Sequence, residues 1–288
     1  MNPTKQTTVA APILDADIRA GQSIELLKAL HILTREGRLN QDSRRKLKQV
    51  YHLYQFIEKR LNELSTQSPD VAITVADHGA GKSYLGFILY DLYFKSLSKG
   101  HIYGIETRAE LVQKSRELQA TLGFERMSFL NLSVADSTQA AELPDQIAMV
   151  TALHACDTAT DDAIQFGLAK KARIMVLVPC CQAELARYLN QNKALCLQRS
   201  HLAELWRHPL HTREMGSQLT NVLRCLYLEA MGYKVTVTEL VGWEHSMKNE
   251  LIFAQYTGHK KRSAAERLQS LLSEFGLDSL LQTRFQLG

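Results

Sequence analysis

The sequence predicts a doubly wound α/β domain, with a mostly parallel seven-stranded sheet, behind a helical N-terminal segment. Two observations carry this prediction. From Val71 onward, short apolar runs alternate with amphipathic stretches, the rhythm of parallel strands joined by crossover helices. The runs are also apolar almost throughout, as strands covered on both faces must be. The 288 residues suit one large domain, or a catalytic domain with a small accessory part. A hydrophobic fraction of 45% can fill a sizeable core.

Residues 22–64 read as two helices. In the second, Leu47, Val50, Tyr51, Tyr54, Ile57, Leu61 and Leu64 recur at helical spacing and give one apolar face. Arg44, Arg45, Lys46 and Lys48 lie on its polar side, and Ser68-Pro69-Asp70 ends it, because the residue before a proline resists the helical conformation. Strands are expected at 71–77, 101–106, 127–133, 146–154 and 173–179. Helices are expected at 83–97, 107–122 and 157–170, with Thr107 and Glu110 forming a capping box. The rhythm then breaks. A long segment, 181–230, precedes runs at 234–243 and 251–258, which are close enough in sequence to form an antiparallel pair. A last helix, 263–284, is expected to open on Ser263 with Glu266 three residues on. The expected divisions are therefore 1–68, 69–260 with 181–230 as a substrate-facing insertion, and 261–288.

Lys and Arg number 34 against 30 Asp and Glu, a formal charge of +4. That mild excess permits a polyanionic partner without requiring one. No run of about 18 apolar residues occurs, so no membrane span is expected. The N-terminus lacks the charged start and apolar core of a signal peptide. Five cysteines without export signals suggest reduced thiols and a cytoplasmic location.

The first strand runs into Asp77-His78-Gly79-Ala80-Gly81-Lys82-Ser83, and the second ends at Glu106. In an open α/β sheet, ligands bind beyond the carboxyl ends of the strands, where the strand order reverses. Glycines there let the backbone turn tightly and approach a ligand. A carboxylate ending the second strand can accept hydrogen bonds from ribose hydroxyls. The dinucleotide pattern G-x-G-x-x-G fails at Tyr84, and the phosphate loop G-x-x-x-x-G-K-S fails at Ala76. A nucleoside-bearing methyl donor without phosphate fits better, with Asp77 near its charged amino-acid end. A glycine turn that merely joins strand to helix is the alternative.

The run VADHGAGKSYL, followed by GIE, ALHACD, VPCC and EHSMKN, resembles a methyltransferase-domain family. That family includes the glutathione S-transferase C-terminal-domain-containing protein and proteins like the ribosomal-RNA adenine dimethylases. RRKLKQVYHL resembles the basic helix that precedes the family's cofactor strand, and the likeness covers roughly residues 43–258. The family often places a glycine after the ALHAC cysteine, where this chain has Asp157. The resemblance implies a Rossmann-like class I methyltransferase sheet of five parallel strands finished by a hairpin. It also implies S-adenosyl-L-methionine as cofactor, held by Asp77, Gly79, Gly81 and Glu106. Lys82 in the same loop, Asp136 beyond the third strand and His154 at the end of the fourth complete the expected cofactor set.

His154, Cys156, Asp157, Cys180 and Cys181 gather just past the ends of strands four and five, which are neighbours in such a sheet. His154 and Asp157 are candidates to orient or deprotonate an acceptor, since a histidine titrates in the useful range. Cys180 and Cys181 are either a nucleophile and its neighbour or small wall residues. Zinc on His154, Cys156, Cys180 and Cys181 is disfavoured, because adjacent cysteines seldom suit one tetrahedral site. In the 181–230 insertion, Arg199, His201, Arg207, His208, His211, Arg213 and Arg224 surround Trp206. Such a set can hold phosphate and stack a base, or form a solvated helix face. The acceptor is expected to be ribosomal or transfer RNA, reached through Arg44, Arg45, Lys46, Lys48, Arg199, Arg207 and Arg213. A protein or small-molecule acceptor, or a non-catalytic adaptor, are the alternatives.

Overall fold

The computed structural model describes residues 17–153, 155, 157–179, 183–191, 201–240 and 250–287. Two helices lead, α1 (Ile24–Ala29) and α2 (Gln41–Gln67), with Ser23 and Asn40 each accepting a first-turn backbone N–H as N-caps. Then come β1 (Thr74–His78), α3 (Tyr84–Leu92), β2 (His101–Glu106), α4 (Ala109–Leu122) and β3 (Met127–Asn131). They are followed by α5 (Val134–Gln139), β4 (Met149–Leu153), α6 (Ala159–Ala169) and β5 (Ile174–Val178). The insertion holds α7 (Glu184–Gln191), a 3-10 turn (His201–Trp206) and α8 (Pro209–Ala230). The chain continues through β6 (Tyr233–Glu239), β7 (Glu250–Tyr256), α9 (Arg262–Glu274) and α10 (Leu280–Thr283).

The strands form one sheet in the order β3-β2-β1-β4-β5-β7-β6. The first five are parallel, and β7 runs antiparallel to both β5 and β6. This is the predicted arrangement. The order reverses between β1 and β4, so the loops after these two strands meet at one crevice.

Each sheet face has its own core, and strand residues alternate between them. Along β5, Ile174, Val176 and Val178 face the layer holding α1, α2 and α3, while Met175 and Leu177 face α6, α7, α8 and α9. All five are buried, which explains why the run carries no polar alternation. The N-terminal helices are therefore part of the domain. Leu47, Val50, Leu53, Tyr54, Ile57, Leu61 and Leu64 of α2 join the same cluster as Val75 and Phe87. Phe56 meets Phe253 of β7 edge-on at 5.2 Å, with the Arg60 guanidinium over the same ring. The 261–288 stretch is equally integral. Leu268, Leu272 and Phe285 are buried against α8, and Glu229 of α8 pairs with Lys261 and Arg267.

Several element ends differ from expectation, for local reasons. The helix expected over 83–97 stops at Leu92 and continues as a 3-10 turn, Phe94–Ser96. The Thr107–Glu110 capping box does not form. The Thr107 hydroxyl turns to the Glu106 carboxylate, and α4 opens one residue later with Arg108 as its N-cap. The Ser263–Glu266 box is also missing, because Glu266 pairs with Arg262 at 2.9 Å and Lys261 occupies the cap position. The single helix expected over 263–284 breaks at Gly276, whose φ of +65° lets Phe275 and Leu277 both turn inward.

Candidate active site

The crevice is built first by the turn after β1. Gly79 (φ +67°) and Gly81 (φ +58°) adopt left-handed backbone that side chains disfavour. Ser83 (φ +49°) adopts it too, and its hydroxyl donates to Asp77 Oδ2 at 3.2 Å. The turn is laced to β2: the Ala80 N–H donates to the Ile105 carbonyl at 3.1 Å, and the Gly81 N–H to Glu106 Oε2 at 2.7 Å. Two amides that a phosphate loop would aim at an anion are thus spent on the neighbouring strand. Lys82 is exposed and lines a cavity of about 360 Å³ with His31, Lys114 and Leu118, between the N-terminal helices and α4.

Glu106 sits where predicted, at the end of β2, with its side chain 7% exposed. Burial alone would raise its pKa, but the Arg108 guanidinium and the backbone N–H groups of Arg108 and Gly81 outweigh burial and bring it down to about 2. Asn131, at the end of β3, donates to the Glu106 and Thr107 carbonyls at 3.0 and 2.8 Å and so fixes the strand end.

Asp77 is placed differently from the expectation that it meets a donor's amino-acid end. Its carboxylate is buried beneath the turn, accepting from Thr151 of β4 at 2.9 Å and from Ser83. Asp77 and Thr151 are direct partners in the β1–β4 register. Burial pushes the Asp77 pKa up to about 6, against the pull of its two hydroxyl partners. A Cβ at Gly86 would lie 2.5 Å from Ser83 Oγ, so this glycine makes room for the pin. His78 is buried against Phe166 of α6, its two ring nitrogens have no hydrogen-bond partner among the described residues, and burial lowers its pKa to about 4.

The loop after β4 comes to the same place. A Cβ at Gly79 would be 3.8 Å from the Ala155 Cβ. His154, Cys156, Cys180 and Cys181 lie outside the described residues, as do Arg199 and the EHSMKN run. Asp157 is described, and it is a helix anchor. Its Oδ1 accepts the N–H groups of Ala183 and Glu184, each at 2.9 Å, at the start of α7, and Oδ2 pairs with Arg187 at 3.3 Å. Burial opposes ionisation, but the Glu184 and Ala183 amides and the Arg187 charge outweigh it and hold the pKa below the ordinary carboxylate value. Such a group is a poor proton acceptor. Asp136 is exposed on α5, where it shares hydrogen bonds with its N-cap Ser133.

Arg224 corrects the expectation of a phosphate-facing cluster. It is fully buried, forks onto Asp161 at 2.8 and 2.7 Å, and donates to Asn221 Oδ1 and to the Asp157 carbonyl. Arg207 and Arg213 are exposed but pair with Glu204 and Glu214, while Arg44 pairs with Asp17 and Arg45 approaches Asp42 at 4.0 Å. Lys46 and Lys48 are exposed.

Sequence reading passed over Arg108, His78, Ser83, Asn131 and Thr151. Thr151 carried a signal, a polar residue inside an otherwise apolar strand. Arg108 carried none, since an arginine beside a helix start ordinarily faces water.

The model of a family described as a methyltransferase domain matches residues 45–188. Curated protein sequences yield no match. Among solved structures, a fibrillarin pre-rRNA processing protein from Methanococcus jannaschii is 12% identical, covering 65% of this chain and 68% of its own, with a TM-score of 0.42. A magnesium protoporphyrin IX methyltransferase from Synechocystis PCC 6803 is 14% identical, covering 82% and 96%, with a TM-score of 0.43. A SAM dependent methyltransferase from Aquifex aeolicus is 17% identical, covering 69% and 89%, with a TM-score of 0.39.

Proposed function

The chain belongs to the methyltransferase-domain family, and from that membership we propose that its β1–β2 crevice holds the methyl donor and that its acceptor is RNA. It is an S-adenosyl-L-methionine-dependent methyltransferase, built on the class I sheet. The bound donor supplies a methyl group activated on a sulfonium.

The residues present fit that donor. Gly79 and Gly81 bring bare backbone to the turn, and the Gly81 amide that a phosphate would need is already taken by Glu106. The observation that carries the assignment is Glu106: a buried, firmly ionised carboxylate at the end of β2, tied to Gly81 and suited to accept ribose hydroxyls. Asp77 acts one layer below, holding the turn through Ser83 and Thr151. His154 follows the last residue of β4 in sequence and is the proposed base or orienting group for the acceptor. Cys180 and Cys181 follow Pro179 after β5 and are the proposed acceptor-pocket wall. Asp157 positions α7 and does not take the proton.

Two features support RNA. Residues 17–48, of which Ala29, Leu30 and His31 line the Lys82 cavity, hold eight Lys and Arg against four Asp and Glu. An excess of positive charge at a site's rim is the electrostatic footprint of a phosphate backbone. The motif resemblance to proteins like the ribosomal-RNA adenine dimethylases points the same way. The local pairing of Arg207 and Arg213 with glutamates favours the second reading, a protein or small-molecule acceptor.

The test is transfer of isotope-labelled methyl from the donor to fractionated cellular RNA, protein and small molecules. Label is expected in ribosomal or transfer RNA, with transfer falling steeply as salt rises. Label confined to protein or to small molecules overturns the RNA assignment.

A further inference from the structure

A carboxylate offers about four lone-pair positions. Five donors already converge on Glu106. Oε1 accepts from the Arg108 N–H at 3.1 Å, from Arg108 Nε at 3.0 Å and from the Thr107 hydroxyl at 3.3 Å. Oε2 accepts from the Gly81 N–H at 2.7 Å and from a terminal Arg108 nitrogen at 3.1 Å. A ribose diol needs two of the same positions.

These donors are not equally able to leave. The Gly81 and Arg108 amides are fixed by the turn and by the start of α4. The Arg108 guanidinium is carried on a flexible stem, and its side chain is 59% exposed, so water can receive it. A terminal nitrogen of Arg108 lies 3.7 Å from where a Cβ on Gly81 would stand. The guanidinium therefore covers the open side of the glycine, the space that the missing side chain leaves for a ligand.

Resting on the assignment of Glu106 to the donor's ribose, we propose that Arg108 is an internal competitor for the ribose site, pairing with Glu106 in the free enzyme and yielding it to the ribose diol. The pair is bidentate and planar, so its full replacement takes two hydroxyl donors side by side. A ligand with both hydroxyls restores both bonds that the guanidinium gives up. A ligand lacking one leaves an oxygen of a buried carboxylate short of a partner. Arg108 thus sets the affinity for the donor, while the Glu106 carboxylate itself sets the discrimination against deoxyribose analogues. The same pairing keeps Glu106 ionised in the absence of ligand, well below the ordinary range for a glutamate.

The experiment is titration calorimetry of the full chain with S-adenosylhomocysteine and its 2′-deoxy analogue, on the unmodified protein, Arg108→Ala, Arg108→Lys and Glu106→Ala. Arg108→Ala is expected to bind S-adenosylhomocysteine about tenfold tighter at low salt, the scale of one released charge-assisted bond. Arg108→Lys, which keeps the charge but loses the fork, is expected to fall between. The gain should shrink at about 1 M salt, where the screening length is ~3 Å and the exposed pair is weakened in the unmodified protein. Discrimination against the 2′-deoxy analogue should be no smaller in Arg108→Ala, since both ligands displace the same pair from the same free enzyme. Equal or weaker binding by Arg108→Ala, with binding still lost in Glu106→Ala, overturns the competitor role and leaves the ribose assignment standing. Undiminished binding by Glu106→Ala overturns the ribose assignment itself.

Discussion

Asp77 and His78 are neighbours at the end of β1, both buried, and their titrations pull stability in opposite directions. The folded Asp77 has a pKa near 6 against an ordinary 3.8. Its contribution is therefore fully present below about pH 3.8 and is lost as pH rises through about 6. The folded His78 has a pKa near 4 against an ordinary 6.5. Its contribution is present above about pH 6.5 and is lost as pH falls towards 4. Each amounts to something on the order of 3 kcal/mol, so the two largely cancel in the unmodified chain. Asp77→Asn leaves only the histidine and should lose stability, relative to the unmodified protein, as pH falls from 7 to 4.5. His78→Gln leaves only the aspartate and should gain over the same interval. Urea denaturation at the two pH values measures this, and parallel profiles for the three proteins would contradict the burial argument. The residue scale is also where the sequence was least complete. The place of Glu106 was legible because strand length and position alone put a carboxylate at the end of β2. The roles of Asp77, Asp157 and Arg224 were not, because each depends on a partner far along the chain: Thr151, the start of α7 and Asp161.

At the scale of elements, the strands were readable because burial on both faces leaves an unmistakable apolar run, as in β5. Helix ends were less so, since caps are settled by competition. The Thr107 hydroxyl turns to the Glu106 carboxylate instead of capping α4, and Arg262 captures Glu266 before it can reach back to the chain ahead of α9. The insertion shows the same limit. Its cationic residues read as one surface, yet α8 turns Arg224 inward, where it joins α6, α8 and the loop after β4 through Asp161, Asn221 and the Asp157 carbonyl. Removing one member of a buried ion pair strands the other charge, at a cost of about 3–5 kcal/mol. Arg224→Met should therefore destabilise the protein by that amount, and Arg224→Met with Asp161→Leu should recover most of it. A denaturation series in which the double variant is worse than the single would show that the pair is not the source of the loss.

At the scale of the whole molecule, the three expected divisions merge. The N-terminal helices complete one core and the C-terminal helices the other, each pressed on the sheet that carries the crevice. Ala264, Leu268, Leu272, Phe275, Leu277, Leu280 and Phe285 are all buried. Burying a large apolar side chain stabilises by about 1.5–3 kcal/mol, so their combined loss rivals the ~5–15 kcal/mol that holds a typical domain folded. A chain ending at residue 260 should lose its cooperative thermal transition, and retention of one would mean that the helices are an appendage. The proposed function rests on the crevice where β1, β2 and β4 end. The most direct measurement is a crystal structure of the full chain with S-adenosylhomocysteine. The ribose hydroxyls should lie within hydrogen-bonding distance of the Glu106 carboxylate, above Gly79 and Gly81, with the Arg108 guanidinium moved off its pair. An adenosine bound elsewhere, with the Arg108–Glu106 pair intact, would contradict it.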